Sequence, residues 1–157
     1  MTTELPPSPI PLFPTVAPHR EWRRKAFNEK KSVGFVALMG ALHEGHLSLV
    51  HRSLAENNLA VMSIFVNPAQ FAPYEDLATF PPYPPPRPRA SHHDLLSEMY
   101  PSGITQSMAE QSGTFVDVKG YGHEIEGKTR LCGVVTVVIK LFNVIEPTHT
   151  YFGQKDI

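Results

Sequence analysis

Two apolar runs of strand length bracket an amphipathic segment in the first half of the chain. Val33-Gly34-Phe35-Val36-Ala37-Leu38-Met39 is the first, and Leu59-Ala60-Val61-Met62-Ser63-Ile64-Phe65-Val66 is the second. Near-continuous apolar runs of this kind are expected of parallel strands covered on both faces. Between them Leu47, Val50 and Leu54 recur at helical spacing from Gly45 onward, and the polar pair Asn57-Asn58 closes the segment. That pattern predicts a helix. Strand, helix and strand in this order make a βαβ unit, whose ligands gather beyond the carboxyl ends of the strands.

Further along, Thr114-Phe115-Val116-Asp117-Val118 alternates like a strand. Val134, Val137, Val138, Leu141, Phe142 and Ile145 recur at intervals of three and four, which predicts a helix despite the β-branched content, ended by Pro147. Thr150-Tyr151-Phe152 reads as a short strand leading into Gly153-Gln154-Lys155-Asp156. At the start, residues 1–18 are proline-rich with little periodic hydrophobicity and are expected to form a mobile arm. His19 to Phe27 then suits a short basic helix anchored by Trp22. The fold expected is α/β with a mostly parallel sheet, in one domain over residues 19–157.

Composition narrows the partners. The chain has 157 residues and a formal net charge of −1 with its eight histidines neutral, so nothing draws it to nucleic acid or to an anionic membrane. The single cysteine, Cys132, excludes an internal disulfide framework and fits a reducing compartment. No apolar run approaches spanning length, and the N-terminus lacks a basic-then-apolar leader. The expectation is a cytoplasmic protein. Sixteen prolines are the anomaly, at about twice the usual share.

The candidate chemistry lies in Met39-Gly40-Ala41-Leu42-His43-Glu44-Gly45-His46-Leu47-Ser48-Leu49, where the first strand turns into the helix. A helix start carries unpaired N–H groups and a partial positive charge, so it attracts phosphate. Two imidazoles there donate hydrogen bonds to a phosphoryl group as its charge redistributes. An isolated His-x-x-His is common and usually structural; the glycines and the strand-to-helix context put phosphate binding on an even footing. No metal site is expected, because two histidines without a cysteine partner do not make a zinc site.

Together with Ser63-Ile64-Phe65-Val66-Asn67-Pro68-Ala69-Gln70-Phe71, Glu75-Asp76-Leu77, Glu98-Met99-Tyr100-Pro101-Ser102-Gly103 and Tyr151-Phe152-Gly153-Gln154-Lys155-Asp156, this motif resembles the pantothenate synthetase (pantoate–β-alanine ligase) family. The blocks follow the family's order and cover most of the chain from Val33 to Ile157. The resemblance implies a Rossmann-like nucleotidylyltransferase core. It also implies ATP- and Mg²⁺-dependent condensation of pantoate with β-alanine through a pantoyl-adenylate, releasing AMP and pyrophosphate, in an enzyme that forms homodimers when full length. Carried over by position, His46 is the catalytic histidine. Met39, Gly40, Ala41, Leu42, His43, Glu44, Gly45, Gly153, Gln154, Lys155 and Asp156 contact ATP. Gln70 binds pantoate near β-alanine, supported by Asn67. Arg130 matches a phosphate-proximal arginine.

The chain also departs from that pattern. Leu38 stands where the family usually has threonine, removing a hydroxyl worth about 1 kcal/mol if it bonded ligand, and Gln154 replaces the commoner glutamate. Residues 82–97 form an aberrant proline-rich segment. Pro82 to Ser91 reads as polyproline II, a form that SH3-type domains bind. Under one choice of codons, a one-base shift turns the tract into Pro-Arg-Thr-Leu-Pro-Arg-Asp-Leu-Glu-Leu, the family's continuation after Phe80-Pro81. The hypothesis is an out-of-frame reading, and a transcript unable to yield that shift would end it. The sequence stops just after Asp156, so the family's C-terminal domain, with a phosphate-holding Ser-Ser-Arg loop, is expected to be absent and activity impaired. The alternative is a non-catalytic remnant that binds nucleotide or a partner.

Overall fold

The computed structural model describes residues 8–40, 42–65, 67, 97–103, 110, 112–119 and 128–154. Their elements run α1 (Val16–Asn28), β1 (Val33–Leu38), α2 (Glu44–Glu56), β2 (Leu59–Ile64), α3 (Lys128–Ile145) and β3 (His149–Tyr151). The three strands form one parallel sheet in the order β2-β1-β3. Val33 stands opposite Leu59 and Leu38 opposite Ile64, while Gly34 faces His149 and Val36 faces Tyr151 across the other edge of β1. The α/β class expected from the periodicity is the one found.

β1 lies at the centre and is buried along nearly its whole length, because both faces are covered. On one face Phe35 joins Val137, Leu141 and Ile145 of α3, together with Phe65, Met99 and Tyr100, in the hydrophobic core. Phe35 meets Phe142 edge to face with centroids 6.2 Å apart. α2 takes the opposite face and comes so close over Gly34 that a Cβ there would overlap Ser53 Oγ and stand 2.7 Å from Asn57 Nδ2. Alternation along the strand therefore assigns one helix to each face. β2 falls short of the two-sided cover expected for it: its residues are half-buried or, at Met62, exposed. Among the described residues it is an edge strand, paired with β1 alone.

The first helix starts at Val16, before the expected His19. Pro18 falls in its first turn, where the missing N–H breaks no intrahelical bond. The backbone N–H of Val16 donates to the Glu98 carboxylate over 2.6 Å, so a distant acid satisfies the positive helix end. Trp22 does anchor this helix, packing with His19 and with Phe13, upstream of it. Residues 1–7 of the expected arm lie outside the described residues.

The strand expected over Thr114–Val118 is not formed. The Val116 N–H donates to Thr136 Oγ1 at 2.9 Å, and the Val118 N–H points at Cys132 Sγ at 3.5 Å. Side chains of α3 take the donors that a neighbouring strand would have used. β3 also sits one residue earlier than expected, with His149 inside it and Phe152 beyond its end. Among the described residues, no helix is long and apolar enough to cross a membrane.

Candidate functional site

α2 begins at Glu44 because His43 caps it. His43 has extended backbone (φ −140°, ψ 173°), its carbonyl accepts the first helical bond from the Leu47 N–H at 3.1 Å, and its Nδ1 accepts from the Gly45 N–H at 3.1 Å. Histidine thus does what Ser, Thr, Asn or Asp usually does at this position. The bond also fixes the tautomer, since an accepting Nδ1 leaves the ring proton on Nε2. Gly45 is required by that contact: a Cβ there would lie 2.9 Å from Cε1 and 3.0 Å from Nδ1 of His43. Ser48 closes the turn by donating to the Gly45 carbonyl at 2.7 Å.

The His46 ring stacks on that of His43, with centroids 3.7 Å apart and 28° between the planes. One turn of helix brings both imidazoles to the same end, beside the amides of the first turn. His43, Glu44 and Gly45 are exposed, and His46, Leu42, Gly40 and Met39 half-buried, so solvent and a ligand reach the rings. The arrangement presents N–H donors, a helix dipole and two imidazoles to one small volume, which suits a phosphate chain. Leu38, at the last position of β1, is 7% exposed, so it fills core space.

Because the strands are parallel, their carboxyl ends share one edge of the sheet, where Met39 and Gly40 follow β1, Asn67 follows β2 and Gly153 and Gln154 follow β3. β1 is flanked by β2 on one side and β3 on the other, so this edge includes the point at which chain connections diverge, the usual ligand position in open α/β sheets. Gly153 is half-buried and Gln154 exposed. Asn67 is fully buried: its Nδ2 donates to the Gly133 carbonyl at 3.0 Å, and its Oδ1 accepts from the Tyr100 hydroxyl at 3.3 Å. It ties the exit of β2 to α3. Ala41, Gln70, Lys155 and Asp156, all expected at the site, lie outside the described residues, as does the side chain of Arg130 and the segment 82–96.

Tyr100 and Lys140 support this arrangement and carried no role in the sequence. Burial pushes the Tyr100 phenol up to about 12, so it remains a hydrogen-bond donor to Asn67 at any working pH. The Lys140 ammonium donates to the Met99 carbonyl at 2.7 Å and sits 3.9 Å above the Tyr100 ring, where the aromatic face attracts it. The one available signal was that a buried asparagine needs partners. Sequence separation hid which partners those were.

Comparison with known proteins finds a matching family and similar folds. A family model described as pantoate-beta-alanine ligase matches residues 11–157. The pantoate–beta-alanine ligase of Saccharomyces cerevisiae is 44% identical over 160 residues, covering 93% of this chain and 52% of the yeast protein. A pantothenate synthetase of Herpetosiphon aurantiacus is 46% identical, over 85% of this chain and 49% of its own. The chain spans about half the length of the curated relatives it matches. Among solved structures, the Thermus thermophilus pantothenate synthetase superposes with a TM-score of 0.63 at 36% identity, covering 90% of this chain and 51% of that one. The Francisella tularensis pantoate-beta-alanine ligase, complexed with β,γ-ATP and β-alanine, gives a TM-score of 0.68 at 27% identity, covering 87% of this chain and 54% of that one. The parallel sheet and its helices are those of a Rossmann-like nucleotidylyltransferase core.

Proposed function

Since the chain belongs to the pantoate-beta-alanine ligase family, we propose that the protein carrying it condenses pantoate with β-alanine to pantothenate at the expense of ATP. The observation that supports this most is the stacked His43–His46 pair at the amide end of α2, beyond the carboxyl end of the central strand. In this reading the ATP phosphates lie against that helix end. The pantoate carboxylate attacks the α-phosphorus, a P–O bond forms, and the bond to pyrophosphate breaks. His46 gives a hydrogen bond or proton to the phosphate oxygens as charge moves onto the leaving group. The β-alanine amine then attacks the acyl carbon of pantoyl-adenylate, an amide forms and AMP departs. Water must be kept out between the two steps, because the mixed anhydride hydrolyses readily.

In this reading Met39, Gly40, Leu42, Glu44 and Gly45 offer backbone close to the nucleotide and Gly153 and Gln154 approach it from the end of β3, while the family pattern adds Ala41, Lys155 and Asp156. Gln70 addresses pantoate. Asn67 acts at one remove, because its amide is spent on Gly133 and Tyr100. Mg²⁺ bound with ATP would neutralise part of the phosphate charge. Asp156 is the carboxylate that the family pattern offers the cation, whose other ligands would be phosphate oxygens and water. A homodimer working in the cytoplasm completes the proposal. Incubating the protein with ATP, Mg²⁺, pantoate and β-alanine, and following products by mass spectrometry, tests the reading. Pantothenate and AMP should form only with all components present, whereas AMP release indifferent to pantoate would overturn it.

A further inference from the structure

At the far end of α2 a polar cluster around the buried Asn57 joins the helix to β3. Asn57 is 9% exposed, and its amide makes three bonds. Nδ2 donates to the Ser53 carbonyl at 3.0 Å and to the Tyr151 hydroxyl at 2.7 Å, while Oδ1 lies 2.8 Å from His149 Nδ1. The direction of every bond follows from one atom. A carbonyl only accepts, so Ser53 O fixes Nδ2 on its side; Oδ1 must then receive a proton from His149 Nδ1, and the Tyr151 hydroxyl, already an acceptor, must donate elsewhere. It donates to Glu56 Oε2 at 2.8 Å, and this bond, with a second from Arg52, holds the Glu56 carboxyl below its usual range. Neutral and charged His149 both satisfy Asn57, because either form can present a proton on Nδ1.

The same residues close over Gly34 of the central strand, where a Cβ would meet Ser53 Oγ, Asn57 Nδ2 and, at 3.1 Å, Tyr151 Cε2. Helix, central strand and β3 therefore meet at one point: α2 and β3 are joined by hydrogen bonds of fixed direction, and both press on Gly34 by close contact. α2 carries part of the candidate nucleotide site on its other end, and β3 leads directly into another part. α2 has His43 and His46 at its start, and Tyr151 is the last residue of β3, directly before Phe152, Gly153 and Gln154. A thirteen-residue helix is about 20 Å long, so a tilt of about 5° at the Asn57 end displaces the His43 end by about 2 Å.

We propose that the Asn57–Tyr151 hydrogen bond is a positioning clamp that sets the two histidines against the Gly153–Gln154 turn, so that both ends of the site grip one nucleotide together. Tyr151 and Asn57 are positioning residues and touch no ligand. This rests on the nucleotide-site reading above, and its test separates the two. ATP·Mg²⁺ binding is measured by calorimetry at 15 °C on the 157-residue chain, on Tyr151→Phe, on His46→Ala and on the double variant, with circular dichroism confirming that each is folded. Tyr151→Phe should weaken binding roughly three- to tenfold, the worth of one hydrogen bond. In the His46→Ala background the same change should cost less than about twofold, because the histidine end no longer contributes and alignment with it ceases to matter. An equal loss in both backgrounds, or none in either, overturns the clamp while leaving the site intact. Failure of the unaltered chain to bind ATP overturns the nucleotide site and the clamp with it. If Tyr151→Phe fails to fold, Glu56→Gln, which weakens the same hydroxyl's anchor from the surface, must show the same dependence on His46 or the clamp is wrong.

Discussion

The Gly45 N–H donates to Nδ1 of His43 over 3.1 Å, and a Cβ on the same glycine would stand 2.9 Å from Cε1 of that ring, so that the imidazole would have to move. Cap and clearance are one design. Gly45→Ala should push the ring off its acceptor position and out of the stack with His46. Loss of an N-cap costs about 1 kcal/mol, and ATP binding should fall about tenfold or more as the rings lose alignment. His43→Asn separates the effects. Asparagine caps helices well, so thermal stability should stay within about 0.5 kcal/mol while ATP affinity drops. Calorimetric titration beside thermal melts distinguishes these outcomes, and a Gly45→Ala chain that binds ATP normally would show that the stack is incidental.

Gly34 gives a test of packing away from the site. A Cβ at this position overlaps Ser53 Oγ and crowds Asn57, and neither can retreat, since α2 is seated on the sheet. Gly34→Ala should cost about 1–3 kcal/mol, the range for overpacking a filled core, seen as a lower urea midpoint. Ser53→Ala in the same chain removes the nearest obstacle and should recover part of that loss. An unchanged midpoint for Gly34→Ala would mean that α2 does not sit so close to β1.

Much of this arrangement was legible from local pattern. The central βαβ unit followed from two apolar runs and one amphipathic segment, whereas the capping of α2 by His43 did not, since histidine is not a usual cap residue. What escaped was whatever depended on residues far apart in sequence. Thr114–Val118 alternates as a strand should, yet its N–H groups bond to Thr136 and Cys132 of a helix, which no local pattern reveals. Pro18 suggested irregular chain, although proline is tolerated in a first helical turn. The pairing of His149 with Asn57, 92 positions away, is of the same long-range kind. The fit of Asn67 between Gly133 and Tyr100 is likewise invisible to spacing, whereas its place after β2 is not.

The pH dependence of stability should carry the signature of His19. This ring is 4% exposed, packs against Phe13 and Trp22, and has its pKa lowered from 6.5 chiefly by burial, with Arg23 and Arg20 adding to the effect and the Ile145 backbone and Glu146 opposing it. The unfolded chain therefore takes up the proton at a higher pH than the folded one. Between the two values the unfolded state binds more protons, so stability declines as pH falls below about 6.5 and levels off below the folded pKa. Denaturation midpoints at pH 7.5 and 5.5 should differ for the unaltered chain, and His19→Phe should flatten the difference. A variant that keeps the full pH dependence would place its origin elsewhere.

The central claim is that the two stacked imidazoles serve adenylyl transfer to pantoate. Pantoate-dependent exchange of labelled pyrophosphate into ATP reports that half-reaction directly, without β-alanine, in the protein that carries this chain. The account predicts exchange that requires pantoate and Mg²⁺ and falls by about two orders of magnitude or more in His46→Ala, the scale on which a general acid or a phosphate donor acts. Exchange that proceeds as fast with alanine at position 46, or that needs no pantoate, would contradict it.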